Sequence, residues 1–119
     1  LAKELGVERQ VTFAGWISGG MDRFYSALDI NALTSLSETF PYALTEGARF
    51  HLATVATAVG GVPDMVQDGV SALLTPCDTQ AVSDACLQLL EDDSLREKLG
   101  RKQWLALGMI LVALVLLNI

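Results

Sequence analysis

The chain has 119 residues, 51% of them hydrophobic, and its 14 acidic side chains against 8 Lys and Arg give a formal charge of −6. That length suits one small domain around one core. The acidic balance, without a dense Lys/Arg cluster, argues against a nucleic-acid partner, because such partners are held largely by phosphate neutralisation.

The first residue is Leu1 and no signal peptide precedes the body, so a fragment or a processed product is expected. Cys77 and Cys86 stand nine apart, a spacing that suits neither a zinc knuckle nor a redox pair. They read as two reduced small hydrophobes of a cytoplasmic protein.

In chain order, 10–15 (Gln-Val-Thr-Phe-Ala-Gly) has the β-branched and aromatic content of a strand ended by Gly15. Met21 to Leu28 places Met21, Phe24, Tyr25 and Leu28 at helical spacing. Asp29 to Thr34 is predicted as a strand, and Tyr42 to Phe50 as a helix with Pro41 in its first turn. Ala53 to Thr57 is a third strand, closed by Gly60-Gly61, and 72–74 (Ala-Leu-Leu) a fourth. From Thr79 to Leu90 the apolar positions 81, 82, 85, 86, 89 and 90 lie on one helical face, with Asp78 or Thr79 as N-cap. Ser94 and Glu97 have the spacing of a capping box for a further short helix. Strands alternating with helices predict an α/β fold: a parallel sheet with crossover helices.

The stretch with most chemistry is 35–48, from Ser35 to Ala48, which leaves a strand and enters a helix. In open α/β sheets ligands bind outside the carboxyl ends of the strands, and a helix N-terminus there offers N–H groups and partial positive charge to a phosphate. Pro41 has no N–H, so donors must come from its neighbours. Glu38 and Glu46 bracket this seat, and a carboxylate can accept from both hydroxyls of a vicinal diol, as sugars and ribose present. The plainer reading pairs Glu46 with Arg49 on the helix surface and leaves Glu38 a loop carboxylate.

The run Glu38 to Ala48 resembles the Glu-x7-Glu signature of the family 4 (group 1) glycosyltransferases. Further blocks match in order. They are Leu5-Gly6-Val7 through Gly15, 24–30 (Phe-Tyr-Ser-Ala-Leu-Asp-Ile), 55–64 with its Gly-Gly-Val-Pro, and 68–74. The resemblance covers about residues 1–100, assigned as a partial nucleotide-sugar-binding domain. It implies a Rossmann-like sheet from the C-terminal domain of a GT-B-type enzyme that transfers sugar from a nucleotide diphosphate sugar with retention. It implies that Glu46 holds the ribose and that Glu38, the catalytic candidate, contacts the donor sugar or its departing phosphate. Thr39, Phe40, Pro41 and Tyr42 would lie near sugar and diphosphate, and Leu44 near ribose or base. No metal and no cofactor is implied beyond the UDP- or GDP-linked donor. The acceptor, a sugar, lipid or polysaccharide, would be met through an N-terminal domain not in this chain. The signature also departs from its usual form: Thr39 follows the first Glu where Gly is usual, and Asp64 stands for a common Glu. The family's Arg and Lys that neutralise the diphosphate would lie upstream of this chain, with the acceptor domain, so the isolated chain is expected to be inactive. An idle binding or membrane-anchored module, or an epimerase of the same architecture, are the alternatives. His51, at the end of the family's helix, is expected on the surface.

After Lys102-Gln103 the character changes, and 104–117 holds no polar side chain. A helix is expected from about residue 101, without the solvent-facing side of an amphipathic covering helix. Three origins are open: a transmembrane helix cut short, with Arg101 and Lys102 as its cytoplasmic flank; a frameshifted gene end; or a buried or dimer helix. The first would put the protein at the inner face of the membrane, in contact through 104–117.

Overall fold

A computed structural model describes residues 1–117, the side chains of 108–114 excepted. Three parallel strands, β1 (Ile30–Leu33), β2 (Ala53–Thr57) and β3 (Leu73–Thr75), form one sheet in the order β1-β2-β3. The helices are α1 (Met21–Ser26), α2 (Tyr42–Arg49), α3 (Val62–Met65), α4 (Thr79–Glu91) and α5 (Asp93–Leu117). This is the expected Rossmann-like arrangement of parallel strands between helices.

Central β2 is buried along its whole length, as a parallel strand covered on both faces must be. Its alternating side chains feed two cores. Ala56 packs with Leu44 and Ala48 of α2, Val62 and Met65 of α3 and Leu107 of α5. Ala53 and Val55 pack on the other face with Ala85 and Leu89 of α4 and Leu99 of α5.

Helix ends follow side-chain chemistry. Asp78 caps α4 as expected, its Oδ2 accepting from Ala81 N–H at 2.8 Å. Helix α2 closes with His51 in the left-handed region at φ 56°. His51 N–H donates to Ala48 at 2.9 Å and Leu52 N–H to Gly47 at 3.0 Å, the paired bonds of a Schellman end. His51 is exposed, as expected, with Trp104 at 5.7 Å between ring centroids.

Several expectations are corrected. Residues 10–15 form no strand. Glu8–Gln10 is a 3-10 turn, the following chain is extended, and it pairs with nothing among the described residues. Strand propensity needs a partner ladder to become a strand. The Ser94–Glu97 box does not cap a separate helix: Asp92 does this, its Oδ1 accepting from Leu95 N–H at 2.9 Å. The short helix at 94 and the apolar helix from 101 are one element, α5.

Nor does α5 stand off from the body over its first half. Gln103 is fully buried and donates through Nε2 to the Leu44 carbonyl at 3.4 Å, and Leu107 is in the core. The side chains of 108–114 and all of 118–119, part of the expected membrane segment, lie outside the described residues. Among the described residues no helix is long and apolar enough to cross a membrane.

Gly100 is the contact that lets α5 lie this close. A β-carbon there would overlap the His51 carbonyl oxygen and crowd Ala53 N. Gly100→Ala is expected to lower stability by about 1–3 kcal/mol, the usual range for overpacking, in urea unfolding. An unchanged midpoint would show that α5 is not seated on β2.

Candidate functional site

The three strands are parallel, so their carboxyl ends share one edge, and the chain after β1 crosses it as the loop 34–41. Buried Thr57, at the end of β2, anchors that loop: its hydroxyl donates to the Ser35 carbonyl at 2.6 Å. Ser35 in turn donates through Oγ to Glu38 Oε1 at 2.5 Å. Gly61 N–H donates to the Glu38 carbonyl at 3.2 Å. Half-buried Glu38 is thus held by its backbone and by one carboxylate oxygen, and its other oxygen accepts no protein hydrogen bond among the described residues.

Gly60 and Gly61 make this possible. β-Carbons at the two positions would overlap the carbonyl oxygens of Glu38 and Thr39 respectively, and Gly60 has φ 52°. The glycine pair is the surface on which the Glu38 loop rests.

Helix α2 begins directly after the loop. Pro41 is its N-cap, with φ −73° and ψ 115°, one residue earlier than its expected place in the first turn. No side chain caps this end and no acid stands in its first turn, unlike α4 with its Asp78. Its first N–H groups are therefore left for another acceptor. Phe40 and Tyr42, exposed, meet edge to face at 6.2 Å beside it.

Glu46 lies half-buried in the second turn of α2. The plain ion pair with Arg49 is not formed: Arg49 reaches Asp22 at 3.7 Å and lies over the Phe50 ring. Glu46 has no ion-pair partner among the described residues. Its charge is felt by buried Tyr25, which stacks on Phe50 at 5.7 Å. Burial first, and the Glu46 carboxylate second, push the Tyr25 phenol above its ordinary value.

Of the seven residues singled out from the sequence, Glu38, Thr39, Phe40, Tyr42 and Glu46 have accessible surface along the loop and the start of α2. Pro41 is buried and can offer only backbone. The Leu44 side chain is wholly buried in the core, which leaves only its backbone to come near a ribose or base. Two residues of helix turn about 200°, so Leu44 and Glu46 point to opposite sides of α2.

Ser35, Thr57 and the packing role of Gly60-Gly61 were missed as determinants of Glu38. The Ser-x-x-Glu spacing at 35–38 was the available signal, though it serves here in a loop and not at a helix start. Buried Asn31 was missed too. Its Nδ2 donates to the Ala43 carbonyl at 2.9 Å, tying α2 to β1. At the same edge, a cleft of about 270 Å³ lies between Thr34, Leu36 and Thr57 and the start of α4, and contains none of the seven. Among the described residues no group of three or more His, Cys, Asp or Glu is placed to hold a metal ion.

Two consequences are measurable. Gly60→Ala should cost about 1–3 kcal/mol and speed amide hydrogen exchange across 35–40 before the rest of the chain. Uniform protection would mean that the glycine does not hold the loop. Tyr25, whose folded pKa is raised above its ordinary 10.0, contributes stability that is complete below that value. This contribution is lost as pH rises through the higher folded value. Tyr25→Phe should therefore flatten the alkaline fall in unfolding free energy, and an identical fall in both proteins would contradict this.

Comparison with known proteins gives the chain a family. Residues 1–103 match the model for glycosyl transferases group 1. The chain is 40% identical over 102 residues to a D-inositol 3-phosphate glycosyltransferase of Corynebacterium aurimucosum, covering 84% of this chain and 24% of that protein. It superposes on the C-terminal domain of a glycosyl transferase group 1 family protein, LpcC, from Francisella tularensis. There the TM-score is 0.81 at 27% identity, over 91% of this chain and 57% of that one. Anabaena HepE, solved in complex with UDP-glucose, shares the fold at TM-score 0.85 and 23% identity, over 99% of this chain and 35% of that one. The chain spans about a quarter of the length of the curated relatives it matches. On the family match over 103 of its 119 residues, the chain belongs to the glycosyl transferases group 1 family.

Proposed function

We propose that this chain binds the nucleotide diphosphate sugar donor of a glycosyltransferase that transfers the sugar with retention. The observation that carries the reading is the placement of Glu38. It is fixed on Gly60-Gly61 at the carboxyl edge of the sheet, immediately before an uncapped helix N-terminus and one helical stretch ahead of unpaired Glu46.

In this reading the diphosphate docks at the start of α2, where N–H groups after Pro41 and the helix dipole favour negative charge. Glu46, without an ion-pair partner among the described residues, accepts from the ribose hydroxyls. Glu38 keeps one oxygen on Ser35 and offers the other to the donor sugar. Backbone of Thr39, Phe40 and Tyr42 lines the path between them. Transfer passes through an oxocarbenium-like state with a departing diphosphate, so a rigid carboxylate and preset N–H groups act by positioning and by stabilising charge. The donor is UDP- or GDP-linked. No cofactor besides the donor is called for. The HepE complex supports the donor class, since a protein of this fold holds UDP-glucose. The acceptor, and with it turnover, belongs to a further domain, so the chain alone should bind donor and transfer nothing.

Titration calorimetry with UDP, GDP, UDP-glucose and GDP-mannose tests this. One base series should bind, and Glu46→Gln should weaken that series by roughly tenfold, the size of one charge-assisted hydrogen bond. Absence of binding by all four, or binding indifferent to Glu46→Gln, would refute the assignment.

A further inference from the structure

The path of α5 carries a second reading that does not depend on the donor site. Gly100 sits against the His51 carbonyl and Ala53 N, at the amino end of β2. Gln103 reaches the Leu44 carbonyl, and Leu107 packs with Leu44 and Val62, toward the carboxyl end. The helix therefore climbs along the sheet in the direction of the strands. It continues ten residues beyond Leu107, to Leu117, a rise of about 15 Å. Val115, Leu116 and Leu117 at its end are 61%, 66% and 82% exposed.

We infer that the end of α5 docks the protein on an anionic lipid surface. Three observations choose this occupant. From 104 to 117 every side chain is apolar, so the helix has no side suited to water. A second copy would cover one stripe of it and leave the others wet, whereas acyl chains cover all sides. Lys98, Arg101 and Lys102 stand just before the apolar stretch, all exposed, with Arg101 also near Glu97 at 3.5 Å. Cations at the base of an apolar helix match anionic headgroups, in a chain that otherwise carries net negative charge. Partly exposed Trp104 lies at the boundary between the two, the level that amphipathic rings prefer. The apolar stretch then enters the lipid from the side that carries the body.

Flotation with vesicles of phosphatidylcholine, with and without phosphatidylglycerol, tests the inference. The chain should float with the phosphatidylglycerol vesicles and much less with the neutral ones. Val115→Ser/Leu116→Ser/Leu117→Ser changes only exposed positions, so the fold, checked by circular dichroism, should persist while partitioning falls at least about tenfold. Lys98→Glu/Lys102→Glu should weaken binding by roughly fivefold per charge and reduce its salt dependence. Equal flotation of the chain and the triple variant would overturn the inference. So would a stable dimer in sedimentation, dispersed by the triple variant, without flotation. Donor titration of the triple variant reads the nucleotide site separately, and its outcome does not bear on the lipid result.

Discussion

Two backbones touch where no side chain fits: Gly60-Gly61 against the carbonyls of Glu38 and Thr39. The contact joins the loops that follow β1 and β2, and the rest of the edge is arranged around it. Thr57 reaches up from β2 to the Ser35 carbonyl, Ser35 turns to the Glu38 carboxylate, and the chain is then aimed so that α2 starts at Pro41. Each link is a single hydrogen bond of modest net worth, about 1 kcal/mol. Their effect comes from sharing one short loop, which leaves Glu38 few other conformations. A carboxylate held in this way needs little reorganisation to meet a partner, which is where preset groups gain over flexible ones.

The same economy of space recurs behind the site. Gly47 of α2 faces Asn31 so closely that a β-carbon would overlap the amide, and this allows Asn31 to reach the Ala43 carbonyl. Gly100 does the same for α5 against β2. In all three places glycine is present for the close approach of a neighbour, and the helix that carries Glu46 is thereby pinned from both sides of its buried stripe. Leu44, Gly47 and Ala48 form that stripe, and Glu46 lies off it, at its margin. Tyr25 and Phe50 wall the same margin with stacked rings, so Glu46 sits beside apolar surface without a cation.

What could be read from the chain beforehand follows from how local each feature is. Strands β1 and β2 and helices α2 and α4 were legible because apolar spacing, a proline, Asp78 and a glycine pair mark them within a few residues. The loop from Ser35 to Phe40 was legible as chemistry because carboxylates eight positions apart, Glu38 and Glu46, flank a helix start. The strand at 10–15 was misread because its composition is right while its pairing partner is a tertiary matter. The single turn α3 was read as part of a turn, although Pro63 near its start is a helix-opening signal. Asp92 was passed over as a cap because Ser94 and Glu97 form a more familiar pattern two residues on. The continuity of α5 was hidden by Gly100, which costs about 1 kcal/mol in an isolated helix and so suggests a break. Its reason is the His51 carbonyl, 49 positions earlier in the sequence.

Leu44 shows the limit of transferring a role by position alone. A motif fixes which residues lie near a ligand along the chain, whereas the helical period decides which way each side chain points. Within Tyr42 to Arg49 the core claims positions 44, 47 and 48, and a neighbour two residues from 44 must face outward. Glu46 is therefore available because the Leu44 side chain is not: the burial of one orients the other outward. The same geometry explains why the helix tolerates an uncapped start. Its stability comes from the Leu44 and Ala48 contacts with β2, α3 and α5, and its first N–H groups are free to serve a ligand. Packing on one side of α2 is what leaves the amino end and the opposite side for chemistry.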